Sequence, residues 1–171
     1  MTRLYMVIKE HKNFLPEKEF LTLRDTMQAR QFPWYLTKYV VDTIKNDKDN
    51  FQFLHLFYNH ASNSDHFHIL TPIIEILNPL VVIRIKANLL TRTNKHKEHG
   101  MHVDFTTKHA NVRTGIYYVD TNNGYTKFKN GKIIKSEANK YIEFDSKLHH
   151  TGATCTNEST RMVINFNYIK Q

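Results

Sequence analysis

The second half of the chain alternates apolar and polar residues with the period of a β-strand. Over residues 161–169, Met162, Ile164, Phe166 and Tyr168 fall on one face and Arg161, Val163, Asn165 and Asn167 on the other, because side chains along a strand point to opposite faces in turn. Residues 80–90 repeat the pattern, with Ile83, Ile85, Ala87 and Leu89 opposing Val82, Arg84, Lys86 and Asn88. Residues 112–119 form another strand, placing Thr114, Ile116 and Tyr118 together. Further strands are expected at 125–128, 133–134 and 141–144. Residues 91–100 form a polar loop and 121–124 a turn. Asn130-Gly131 should close a hairpin through a primed turn.

The first half mixes periods. A strand is expected over residues 4–9. Pro16 then stands near the first position of a helix whose first turn carries Glu17 and Glu19, and Phe20, Leu23 and Met27 recur at helical spacing through Ala29. Residues 31–36 read as extended, with Trp34 and Tyr35 as candidates for a pocket rim. Residues 46–50 are a polar turn and 51–58 a strand. A second helix is expected over 65–77, with Pro72 threatening a kink and Asn78-Pro79 ending it. Within it His66 and His68 do not share a helical face, so they read as surface or packing residues.

Two helices followed by many short strands predict a mainly β fold with flanking helices, a double-stranded β-helix or jelly roll. Three strands carry a polar face. In a plain sandwich that face would meet solvent; in a jelly roll it would line a polar pocket while the helices cover the apolar faces.

At 171 residues the chain is expected to form a single domain with a sizeable core. The start is too short in apolar run for a signal peptide, and no stretch approaches membrane-spanning length. The lone Cys155 excludes an internal disulfide framework and a cysteine-rich zinc site. A cytoplasmic location follows by default, a host cytoplasm if the chain is phage-encoded. The net charge of +8 could mark a nucleic-acid partner, but it is spread along the chain, which favours a soluble basic surface.

The candidate chemistry lies in His102-Val103-Asp104, answered by His149-His150-Thr151-Gly152 and by Arg161, eleven residues after His150. On an extended backbone His102 and Asp104 share a face. Two neutral imidazoles and a carboxylate on one side of a metal make the facial triad of non-haem Fe(II) oxygenases, which leaves the opposite side open. His149 and His150 are alternatives for the second imidazole. His96, His99 and His102 offer a rival zinc spacing, but Gly100 and the β-rich context argue against the helix it would need.

These residues, together with Thr114-Gly115-Ile116-Tyr117-Tyr118-Val119-Asp120, resemble the Fe(II)/2-oxoglutarate-dependent dioxygenases. The nearest pattern is that of prolyl 4-hydroxylases, including the hypoxia-sensing type, where an Ile-Tyr-Tyr-Leu-Asn strand follows the H-x-D. Small phage and bacterial members are also similar. The resemblance covers residues 80–171, which would be the jelly-roll core with the metal site, and leaves 1–79 as helix-rich support. It implies Fe(II) bound by His102, Asp104 and His150, the last favoured over His149 because Thr151-Gly152 matches the family's H-x-G. It implies that Arg161 holds the distal carboxylate of 2-oxoglutarate, helped by Tyr118. Asn88 falls near a position where prolyl hydroxylases carry a tyrosine, and Asn165 and Asn167 fall where the hypoxia-sensing enzymes carry threonine and tryptophan. Asn88 and Asn165 are therefore further candidates for the co-substrate pocket. Gly124-Tyr125-Thr126 stands near the family's Gly-Gly-x-Thr turn, with its second glycine replaced.

The implied partners are 2-oxoglutarate and O2, with ascorbate as an optional addition, and no membrane. The implied reaction is hydroxylation of a C–H bond, a prolyl or other protein side chain leading, with succinate and CO2 as co-products. Oxidation of a nucleobase, motivated by the positive charge, and a non-catalytic metal-binding jelly roll are the alternatives.

Overall fold

The structure is a computed structural model that describes residues 7–40, 50–60, 62–106 and 111–170. In chain order the elements are β1 (Lys9–His11), α1 (Glu17–Gln28), β2 (Tyr35–Thr37), β3 (Gln52–Asn59), β4 (Ser62–Asn63), a 3-10 helix (Phe67–Leu70), α2 (Thr71–Leu77), β5 (Val81–Thr91), β6 (Val112–Tyr118), β7 (Tyr125–Phe128), β8 (Ile133–Lys135), β9 (Lys140–Asp145), β10 (His150–Ala153) and β11 (Thr160–Ile169).

The alternation along β11 sets the architecture. Its apolar face, Met162, Ile164, Phe166 and Tyr168, packs with Ile85, Ala87 and Phe57 against Leu23 and Met27 of α1, Ile69 and Leu70 of the 3-10 helix and Ile73 of α2. Its other face looks towards a second sheet. There Val163 joins Ile116, Tyr118, Ile142, Phe144, Phe128 and Ile134 in a second apolar cluster. The main sheet runs β1-β9-β6-β11-β5-β3-β2, with β4 on β3, and the smaller sheet runs β10-β7-β8. All strand pairs are antiparallel. This is the expected mainly β jelly roll, with the helices on the outer face of the larger sheet.

The first 79 residues contribute strands as well as helices. β3 and β2 extend the main sheet beyond β5, and β1 closes its other edge on β9. The strand expected at 4–9 appears as Lys9–His11; residues 1–6 lie outside the described residues, as do 46–49 of the polar turn. The helix expected over 65–77 is two pieces. Pro72 sits in the first turn of α2, where a missing N–H does no harm, so it starts a helix and does not kink one. The hairpin turn differs too. Only Gly131 takes positive φ there, at 87°, and its N–H donates to Phe128 O while the Phe128 N–H donates to Lys132 O. That is the three-residue loop with glycine at the left-handed position, not a primed two-residue turn.

Asn139 ties the N-terminal segment to this frame. It is buried, has φ of 58°, accepts from Leu15 N–H at 2.8 Å and Tyr117 Oη at 2.9 Å, and donates to Leu15 O at 2.8 Å. Asn139→Ala would leave both backbone groups of Leu15 unsatisfied and force alanine into a left-handed conformation. A loss of about 3–5 kcal/mol is expected in urea unfolding. Asn139→Gly should lose about 1 kcal/mol less.

Candidate metal centre

Segment 98–102 runs along the edge of the smaller sheet. His102 and His150 exchange backbone hydrogen bonds, N–H to O at 3.0 Å each way, so a short antiparallel bridge brings the two imidazoles together, tilted by 49° with ring centres 4.6 Å apart. Each ring is then oriented by its own backbone. His150 Nδ1 donates to Leu148 O at 2.9 Å and His102 Nδ1 to Gly100 O at 3.3 Å. This fixes the tautomer that leaves both Nε2 lone pairs for a metal. Asp104, anchored by its N–H on Ser146 O, brings its carboxylate in, Oδ1 lying 3.9 Å from His102 Nε2. The candidate ligand atoms of His102, Asp104 and His150 all lie within 4.8 Å of one another, the one such group among the described residues.

Electrostatics suit a divalent cation. Burial opposes ionisation of Asp104, but His150, His102 and hydrogen bonds from Thr114 and Asn167 outweigh it, so the carboxyl titrates below its ordinary value. Burial between Phe128 and Phe144 holds His150 below the ordinary imidazole range, against the pull of Asp104. An ionised carboxylate beside a neutral imidazole is the protonation state a metal requires. His149 is exposed while His150 is buried and is the one of the two neighbours that joins the candidate cluster. The rival histidine string does not converge: His96 donates from Nδ1 to Thr154 O, and His99 lines the cavity without joining the cluster.

A narrow cavity of about 70 Å³ opens beside the trio, lined by His102 and His150 at one part and by Arg161, Thr126, Asn88 and Asn165 at others. Arg161 is buried. Its Nε donates to Ser136 Oγ at 2.8 Å and its Nη2 to Thr126 Oγ1 at 3.2 Å. Nη1 makes no hydrogen bond among the described residues, and no carboxylate forms an ion pair with this guanidinium there. Gly124 gives the side chain room, since a Cβ at that position would stand 2.5 Å from Arg161 Cδ. Asn88 and Asn165 bring buried side-chain oxygens that have no hydrogen-bond partner among the described residues. In this polar wall a buried cation with no ion-pair partner among the described residues fits an anionic group better than an apolar ligand, and the unmet amide oxygens fit hydrogen-bond donors of a substrate or water.

Tyr118 stands behind this wall. Its hydroxyl donates to Thr126 Oγ1 at 2.8 Å and its ring lies 5.8 Å from the Arg161 guanidinium carbon, so it steadies Arg161 and Thr126 and does not line the cavity. Trp34 packs on Phe32 and donates to Met27 O. Tyr35 lines a separate surface groove. Neither reaches the metal centre. Sequence reading missed Thr126 and Ser136 as partners of Arg161, although the Gly124-Tyr125-Thr126 string stood near a family turn.

Asp120 is among the groups whose charge favours the Arg161 cation against its burial. Burial pushes its carboxyl up to about 6, against a hydrogen bond from Met162 N–H and the charge of Arg161. The native state therefore binds this proton more tightly than the unfolded chain, and stability should fall as pH rises from about 4 through about 6. Asp120→Asn should flatten that fall: the difference in urea-unfolding free energy between variant and wild type is expected to shift by on the order of 2 kcal/mol across the window.

No protein-family model and no curated protein matches the sequence. Solved structures do. A prolyl-4-hydroxylase of Pseudomonas putida superposes with a TM-score of 0.67 at 11% identity over 98% of this chain and 94% of its own. The fold is that of the 2-oxoglutarate- and Fe(II)-dependent oxygenases. A Trichoplax adhaerens prolyl hydroxylase in complex with a hypoxia-inducible-factor peptide fragment superposes at 0.62, with 10% identity over 95% of this chain and 83% of that one. The epimerase SnoN of nogalamycin biosynthesis, in complex with Fe3+, α-ketoglutarate and nogalamycin RO, reaches 0.65 at 10% identity over 96% and 79%. No helix among the described residues is long and apolar enough to cross a membrane.

Proposed function

We propose that this chain is an Fe(II)- and 2-oxoglutarate-dependent dioxygenase that hydroxylates a C–H bond of a protein side chain, prolyl first. The observation that carries the reading is the buried Arg161, without an ion-pair partner among the described residues, on the same cavity as His102 and His150 of the trio. A buried guanidinium without a directly paired anion is unfavourable until an anion meets it, and its planar donors match a carboxylate. A dicarboxylic acid reaching from that cation to a metal ion would satisfy both ends.

The donor set fits Fe(II), with two imidazole nitrogens and one carboxylate oxygen on one side. When bound, the metal with 2-oxoglutarate and O2 supplies oxidation of a substrate C–H, releasing succinate and CO2. The protein's own part is positioning. His102 and His150 would hold the ion through Nε2, their Nδ1–H groups being committed to backbone carbonyls. Asp104 would complete the trio. Arg161, set by Ser136 and Thr126, would clamp the far carboxylate. Asn88 and Asn165 would take hydrogen-bond donors of substrate or water through their side-chain oxygens.

A protein substrate is supported by the prolyl hydroxylases among the similar structures. The nucleobase reading wants aromatic stacking around an extruded base, and no Phe, Tyr or Trp is among the described lining residues of the cavity. Incubation with Fe(II), 2-oxoglutarate, O2 and ascorbate should release succinate, and proline-containing peptides should raise the rate. Stimulation by oligonucleotides and not by peptides would contradict the protein-substrate reading.

A further inference from the structure

The two oxygens of Asp104 differ in what they touch. Oδ2 accepts from Thr114 Oγ1 at 2.6 Å and from Asn167 Nδ2 at 3.1 Å, while Oδ1 is the oxygen near His102. Asn167 is fully buried, and its own carbonyl oxygen accepts from Arg84 Nε at 3.2 Å and Nη2 at 3.0 Å. Arg84 is its cross-strand partner on β5, with the guanidinium carbon 5.7 Å from the centre of the Phe105 ring. A guanidinium only donates and an ionised carboxylate only accepts. An amide held between them satisfies both in one orientation; flipped, it would set NH2 against the guanidinium and C=O against the carboxylate. Asn167 can therefore present only its NH2 to Asp104.

We propose that Arg84, acting through Asn167, holds Asp104 as a one-oxygen metal ligand and thereby sets both the affinity of the centre and the number of positions it leaves open. This rests on the metal-centre reading above. A carboxylate free to turn can clasp a cation with both oxygens and fill a position that a co-substrate needs. With Oδ2 committed to two donors, only Oδ1 is on offer. Arg84 and Asn167 are positioning residues: groups that orient metal ligands from behind typically change metal affinity about 10–100-fold when removed. Neither stood out from the sequence as part of the centre, because the link exists only through the pairing of β5 with β11.

The test is titration of the full chain, without 2-oxoglutarate, with Co(II), whose visible absorption reports coordination number as well as occupancy. Asn167→Leu should weaken binding about 10–100-fold and alter the spectrum, and Arg84→Met should weaken it about 3–10-fold. Arg84→Lys, which keeps a donor, should restore most of the affinity. The double variant Arg84→Met, Asn167→Leu should match Asn167→Leu alone, since one residue works through the other. Additive losses in the double variant would overturn the relay. So would variants that lower the urea-unfolding midpoint yet leave Co(II) affinity and spectrum unchanged. If Asn167→Leu does not fold, the comparison of Arg84→Met with Arg84→Lys decides, and equal affinity in both overturns the proposal. Wild-type protein that binds no Co(II) would reject the metal centre itself, a failure distinct from a wild type that binds and variants that bind equally well.

Discussion

His150→Ala should abolish metal binding and lower succinate formation at least about 10³-fold, the equivalent of about 4 kcal/mol of barrier. Its neighbour supplies the control. His149→Ala, one residue away but exposed, should leave both within about twofold. The contrast follows from the short bridge to His102, which turns one imidazole of the pair inward. It also follows from the Leu148 carbonyl, which orients the buried ring. Removing His150 takes away a ligand and opens a hole between Phe128 and Phe144, so stability is followed alongside. His150→Gln keeps much of the volume and should lose metal to a similar degree. Equal loss in the His149 and His150 variants would mean that the bridge register is wrong.

Arg161 is the second large effect. Arg161→Met should raise the 2-oxoglutarate concentration for half-maximal rate about 100-fold, and Arg161→Lys about 10-fold. A charge-assisted pair of hydrogen bonds is worth several kcal/mol, and an ammonium cannot reproduce the planar fork. Affinity for the metal alone should stay unchanged. Stability offers an independent readout. Without ligand the wild type carries a buried cation with no ion-pair partner among the described residues, so the methionine variant should be at least as stable. Added 2-oxoglutarate with Mn(II) should raise the wild-type unfolding midpoint and leave that of the variant in place. A variant with unchanged co-substrate dependence would remove Arg161 from that role.

Much of this was legible in the chain because strands write their faces into the sequence. The alternation at 161–169 and 80–90 gave both the strand faces and the polar inner wall, and His102-Val103-Asp104 put two candidate ligands on one face of an extended backbone. Other features depend on three-dimensional neighbours that no local pattern carries. Arg84 and Asn167 meet only through strand register, with a shift between Asn167 and Tyr168. Ser136 and Thr126 reach Arg161 from strands and turns well removed in sequence. Tyr118 shares the inner face as expected, yet its hydroxyl is taken by Thr126, which puts it behind the wall. Pro72 threatened a kink in one long helix; it instead stands in the first turn of α2, because the segment ahead of it is a separate 3-10 helix. Asn130-Gly131 suits two hairpin geometries, and the hydrogen bond from Phe128 N–H to Lys132 O selects the longer.

One measurement bears on the whole reading. Under anaerobic conditions, Fe(II) and 2-oxoglutarate added together to the protein should produce a visible charge-transfer band that neither gives alone, saturating at one equivalent of each. His102→Ala and Arg161→Met should respectively abolish the band and shift its 2-oxoglutarate dependence to much higher concentration. A colourless wild-type mixture at saturating concentrations of both would contradict a metal and a 2-oxo acid meeting at this trio.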